Sequence, residues 1–145
     1  MQIIIDYRFT SHNDYIAAER TNKYICAEIK KRETEVARIS ALNQDGSKLV
    51  YPVEISCTWF RTDARTDPDN IEFAIKFILD GLVKARFLMN DNWNCIKKIS
   101  HEFELSDRDY VIVNVEGYTD VSNLAPCGIC STNFHPVYIC KHTRK

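Results

Sequence analysis

The sequence predicts an α+β domain, a mixed β-sheet carrying two main helices, with elements in the order β-α-β-α-β-β. Three observations carry this expectation. Val53, Ile55, Cys57 and Trp59 alternate with polar residues, which is the period of a half-buried strand. Ile71, Ala74, Ile75, Ile78, Leu79, Leu82 and Val83 recur at helical spacing. Two more strands, near 95–105 and 110–116, follow that helix and are joined by "SDRD". With 145 residues, 45% hydrophobic and 27% charged, the chain suits one domain with a real core.

Taken in order, Ile3, Ile5, Tyr7 and Phe9 alternate and predict the first strand. "TSHND" supplies side chains that cap helices. A long helix is expected from about Asp14 to Leu42, with Ile25, Ile29, Val36 and Ile39 near one face. "NQDG" at 43–46 ends it with turn chemistry. Pro52 stands at the start of the second strand, where a proline is tolerated. The second helix follows the loop 61–70, with Asp69 or Asn70 as its N-cap, and "NDN" at 90–92 marks the next turn.

No apolar run approaches the roughly 18 residues that span a membrane. The opening "MQIIIDYRF" has no basic region ahead of a long apolar stretch, so no signal peptide is expected, and the address expected is cytoplasmic. A net charge of -1 argues against a uniformly basic nucleic-acid binder but leaves room for segregated charge. Arg20, Lys23, Lys30, Lys31, Arg32 and Arg38 form such a run, which also reads as a solvated helix face. Cys26, Cys57 and Cys95 are scattered among apolar neighbours and are expected to pack as small hydrophobes.

The chemistry gathers around "RTDPDNIEF", residues 65–73. Asp67 and Asp69 repel each other unless something positive sits between them, so the loop is either an ordinary solvated turn or the seat of a cation. Lys76 stands seven residues after Asp69, two turns along a continuous helix, and its side chain leans back toward the carboxylates. Glu72 and Asp80 flank it, so an ordinary surface charge ladder is the competing reading. Asp91 lies beyond the helix; a returning loop or a second subunit would have to bring it to Asp69. Carboxylates of this kind suit Mg²⁺, which takes oxygen ligands and activates a bound water. Arg61 and Arg65 suit a polyanionic substrate. The pattern points to metal-dependent phosphodiester hydrolysis.

"DPDNIEFAIKFILDGLVKARFLMND", residues 67–91, resembles the signature of the RusA family of Holliday-junction resolvases. "SHNDYIAAERTNKYICAEIKK", residues 11–31, resembles the N-terminal helix region of its phage-borne members, and the similarity spans roughly residues 2–116. The resemblance implies a homodimer that resolves four-way DNA junctions by paired symmetric nicks, leaving 5′-phosphate and 3′-hydroxyl ends. It implies Mg²⁺ (or Mn²⁺) and no small-molecule cofactor, in DNA recombination and repair. Asp67, Asp69 and Asp91 correspond to the metal-binding acids and Lys76 to the essential lysine; Ser11, Asn13 and the stretch from Arg65 to Asn70 correspond to DNA-contacting segments. Two positions depart from the pattern. Asn90 replaces a second acid of some members, and Arg86 replaces a helix-ending Gly, so a different helix end is expected. A broader branched or flap endonuclease, a junction-binding protein without cleavage and a zinc-stabilised structural module are the other classes considered.

A resolvase domain over 1–118 and an extension over 119–145 are expected. The extension spells Cys127-x2-Cys130-x4-His135-x4-Cys140, the spacing of a zinc knuckle, with His142 as an alternative ligand. Such knuckles grip single-stranded nucleic acid. Ser131 and Phe134 stand where a knuckle carries glycines, and the competing reading is a strand or loop in which the cysteines pack.

Overall fold

In the computed structural model, residues 1–119 are described throughout, with the backbone of Leu124–Ala125 and His135–Pro136 beyond them. The expected zinc ligands Cys127, Cys130 and Cys140, and the side chain of His135, lie outside the described residues. The elements are β1 (Gln2–Ile5), α1 (His12–Thr21), α2 (Lys23–Ala41), β2 (Val53–Arg61), α3 (Pro68–Glu72), α4 (Ile75–Lys84), β3 (Ile96–Leu105) and β4 (Tyr110–Gly117). The short strands β5 (Leu124–Ala125) and β6 (His135–Pro136) pair with each other.

The main sheet runs β1-β4-β2-β3. β4 is antiparallel to both β1 and β2, while β2 and β3 are parallel. A parallel pair needs a crossover, and α3 with α4 provides it. The fold is thus α+β with a mixed sheet, in the element order the sequence predicts. One sheet face is dry: Ile3, Ile5, Val53, Ile55, Cys57, Trp59, Val111, Val113 and Val115 are buried there with Phe77, Ile78 and Leu82 of α4. Cys26, Cys57 and Cys95 are all buried free thiols, and burial pushes the Cys57 thiol up to about 12. No described helix is long and apolar enough to cross a membrane.

Five expectations are corrected. The first strand stops at Ile5, although Phe9 is still buried. The long first helix is two helices. Asn22 is extended (φ -162°, ψ 121°) and its side chain accepts the Tyr24 N–H, capping α2 afresh.

The buried face of α2 is Cys26, Ile29, Glu33, Thr34, Ala37 and Ala41, whereas Ile25 and Ile39 lie outside. Close approach to α4 explains the choice. A Cβ on Gly81 would lie 2.5 Å from Ala37 Cβ and 2.6 Å from the Thr34 carbonyl oxygen, so only small residues fit the crossing.

The second helix is also broken, at Phe73 and Ala74. Bonds from Ala74 N–H to Ile71 O (3.3 Å) and from Lys76 N–H to Phe73 O (3.3 Å) tighten the chain there. Finally, Arg86 takes the left-handed conformation a Gly would take (φ 60°), with Phe87 N–H bonded to Leu82 O at 3.1 Å. The helix therefore closes as it would on glycine, at a cost of roughly 1 kcal/mol in backbone strain.

Candidate functional site

β2 delivers the chain to Arg61, and the Arg61 carbonyl accepts the Ser106 N–H at 2.8 Å, tying the ends of β2 and β3 together. Six residues on, Asp67 opens α3. Its carbonyl takes the Asn70 and Ile71 N–H groups (3.0 and 3.2 Å), and Pro68 fills the first helical position. Its carboxylate makes no capping bond. Asp69 lies exposed in the first turn of α3. Among the described residues neither side chain accepts a hydrogen bond or ion pair. The result is two exposed, acceptor-only groups two residues apart with their lone pairs uncommitted. That donor set fits a hard divalent cation that keeps part of its water shell.

Lys76 is exposed on α4 and pairs with neither Glu72 nor Asp80, so the charge ladder does not form among the described residues. The break at Phe73 and Ala74 also means that Lys76 and Asp69 stand on two helices rather than on one continuous face. Arg65 is exposed, with its N–H bonded to Asp63 Oδ1 at 3.0 Å.

Arg61 is a correction. It is only 7% exposed, held in the fold rather than offered to a phosphate backbone. Asp109 gathers this region: it accepts from Arg8 Nη1 (2.9 Å) and from Thr62 N–H (2.9 Å), with Arg61 Nε at 3.6 Å. Burial raises the Asp109 carboxyl, but the Arg8 and Thr62 hydrogen bonds win and hold it below the usual carboxylate range. Beside Asp67 a cleft of about 190 Å³ opens, walled by Arg61, Pro68, Ile71, Phe103 and Leu105.

Ser11 caps α1, accepting the Asp14 N–H at 3.2 Å, and Asn13 is exposed. The sequence offers no partner for His12. In the structure its ring stacks on Phe73, centroids 4.4 Å apart, which seats the start of α1 against the end of α3. Ser11 and Asn13 are thereby drawn to the side of the molecule that carries Asp69 and Asn70.

Sequence reasoning missed the residue that holds this segment. Glu33 is fully buried on α2, and its Oε1 accepts both the N–H (2.8 Å) and the hydroxyl of Thr10. Burial pushes its carboxyl above the usual range, although the Thr10 bonds pull the other way. His101, placed on a strand as expected, accepts the Trp59 Nε1–H at 3.0 Å, and burial pushes its imidazole down.

Asp91 is elsewhere. β3 starts at Ile96, opposite Val53, the first residue of β2, and Val53 N–H bonds Cys95 O at 2.7 Å. Asp91 sits in the turn before that start. Asn90 Oδ1 takes the Asp91 N–H (2.7 Å), and Asn92 Oδ1 takes those of Asn94 (3.1 Å) and Cys95 (3.2 Å). Asp67 and Asp69 follow the far end of β2, about 26 Å of strand away. Asp67 and Asp69 are brought together, whereas Asp91 of the same chain is not. Among the described residues no three His, Cys, Asp or Glu side chains converge on one point. In this structure the turn before β3 does not return Asp91 to that pair. No protein-family model and no curated protein matches the sequence.

Proposed function

We propose that the chain is a Mg²⁺-dependent, structure-selective DNA endonuclease of the RusA kind, which resolves Holliday junctions as a homodimer. The observation that carries the reading is the uncommitted pair Asp67 and Asp69 at the mouth of α3, with Arg65 and the start of α1 beside it. The separation of Asp91 from that pair supports the dimeric form. Two chains related by a two-fold axis would present two identical composite sites, matching the approximate two-fold symmetry of a four-way junction.

In this reading Asp67 and Asp69 of one chain and Asp91 of the partner subunit hold Mg²⁺. The bound ion supplies an activated water and a counter-charge for the phosphoryl oxygens. Lys76, which makes no ion pair among the described residues, offsets charge that builds on the phosphorane. Arg65, Ser11 and Asn13 meet the phosphate backbone, so binding weakens steeply with salt. Arg61 acts from beneath, fixing the loop rather than touching DNA.

The test is cleavage of a synthetic four-way junction with and without Mg²⁺, by wild type, Asp69→Asn and Asp91→Asn. Paired symmetric nicks are expected only from wild type with the metal. Wild-type rates from either variant would remove the reading. Fork, flap and linear duplex substrates in the same assay separate a junction resolvase from a broader branched-DNA nuclease.

A further inference from the structure

The turn that carries Asp91 ends in a large side chain that packs on nothing among the described residues. Trp93 is 95% exposed, in a molecule whose other tryptophan, Trp59, is 3% exposed. Met89, on the same turn, is 71% exposed. Leaving an indole in water forgoes the burial of a large apolar surface. At the far end of the same strand lies the converse, a cleft of about 190 Å³ whose apolar walls are Pro68, Ile71, Phe103 and Leu105. A cavity of about 150 Å³ accepts one benzene ring, so this one suits a single aromatic side chain. Within one chain the two cannot meet, because the ten residues of β3 separate them by about 30 Å.

Between them, β3 is an edge strand with one side unpaired among the described residues. Its sequence, IKKISHEFEL, is polarised. Lys97 and Lys98 lie exposed in the first half, and Glu102 and Glu104 lie exposed in the second. Laid antiparallel on a copy of itself, the strand sets lysines against glutamates at both ends of the contact, and each such pair favours the alignment. A parallel alignment sets like charge on like. Ile99 and Leu105, 41% and 68% exposed, add apolar surface to the same strand.

We infer that two copies of this chain dock antiparallel along β3, and that Trp93 of each fills the cleft beside Asp67 of the other. The inference rests on the proposed composite site and supplies the contact that builds it. The contact is isologous, so it forms twice per dimer. Seating Trp93 carries Asp91, two residues away, to the Asp67 and Asp69 of the opposite chain. Exposed aromatic anchors that enter a partner's pocket are the side chains that dominate interface energetics.

The full-length chain reports this directly. Sedimentation velocity over a dilution series gives the dimer dissociation constant. Tryptophan emission follows the same series; Trp59 is buried in either state, so a red shift on dilution reports Trp93. Trp93→Ala is expected to weaken the dimer roughly hundredfold, since the anchor is lost twice, while Trp93→Phe retains most of it. Lys98→Glu and Glu102→Lys should each weaken the dimer, and the double variant should recover it. A wild type that stays monomeric overturns the inference, as does a Trp93→Ala dimer of unchanged affinity. So does a double variant weaker than both singles. A dimer that behaves as expected but leaves junctions uncut removes the nuclease reading alone. A monomer that cuts junctions removes this inference and the composite site with it, and leaves only the nuclease activity standing.

Discussion

The two ends of the parallel pair β2–β3 are built differently. At the end carrying Asp67, side chains are committed inward: Arg61 is buried, Asp109 holds Arg8 and Thr62, and the ends of β2 and β3 are tied by a backbone bond. At the end carrying Asp91, the turn is shaped by two asparagine side chains bonding nearby backbone N–H groups, and its large residues point into water. One end is a cleft braced by bonds across the fold, and the other is a tip shaped largely by local bonds. The turn is shaped by its own asparagines and tied to the fold from within, by the Met89 N–H on the Tyr51 hydroxyl (2.8 Å) and the Val53 N–H on the Cys95 carbonyl (2.7 Å), which leaves Trp93 and Met89 on its outer face.

A mixing experiment separates the two ends most clearly. Asp69→Asn and Asp91→Asn should each cut junction cleavage by at least about 10³-fold. Mixed and allowed to exchange subunits, they should regain activity, because the mixed dimer carries one site with both lesions and one with neither. That activity should be single nicks rather than paired ones. Failure to regain any, with subunit exchange verified, places all three acids in one chain and contradicts the split.

The next effect lies in stability at the Asp67 end. Asp109→Ala leaves the buried Arg61 without its acid and should cost about 2–4 kcal/mol in urea unfolding. Because the folded Asp109 carboxyl lies below its ordinary value, its contribution is present above pH 4. It is lost as pH falls through the folded value. Asp109→Asn should therefore flatten the acid limb of the stability curve.

The Asp91 end should be more tolerant. Asn92→Ala, which removes the bonds to Asn94 and Cys95, should cost about 1 kcal/mol. Smallest of all, Arg86→Gly relieves the left-handed strain where α4 closes and should raise stability by about 0.5–1 kcal/mol. A loss instead would show that the Arg86 side chain contributes more than its backbone costs.

Much of this was legible in the sequence. Strand and helix periods are local properties, so the order of the elements and most of the core follow from which residues alternate and which recur at helical spacing. The adjacency of Asp67 and Asp69 is fixed by a chain spacing of two. Other features were hidden because they depend on what lies across the fold. Glu33 sits in a charged run and looks solvated; only the approach of Thr10 shows that it is buried. Ile25 and Ile39 look like core, but the helix crossing at Gly81 selects small residues and turns them outward.

By itself, then, the sequence determined the α+β order, the buried strands and the acid pair, because each is set by interactions within a few residues. Only the tertiary structure decided that Arg61 is buried and that Asp91 stands at the opposite end of the sheet from Asp69. The reason is length: a parallel crossover must return the chain to the start of the neighbouring strand. Whatever follows the crossover helix is therefore carried a full strand length from whatever precedes it.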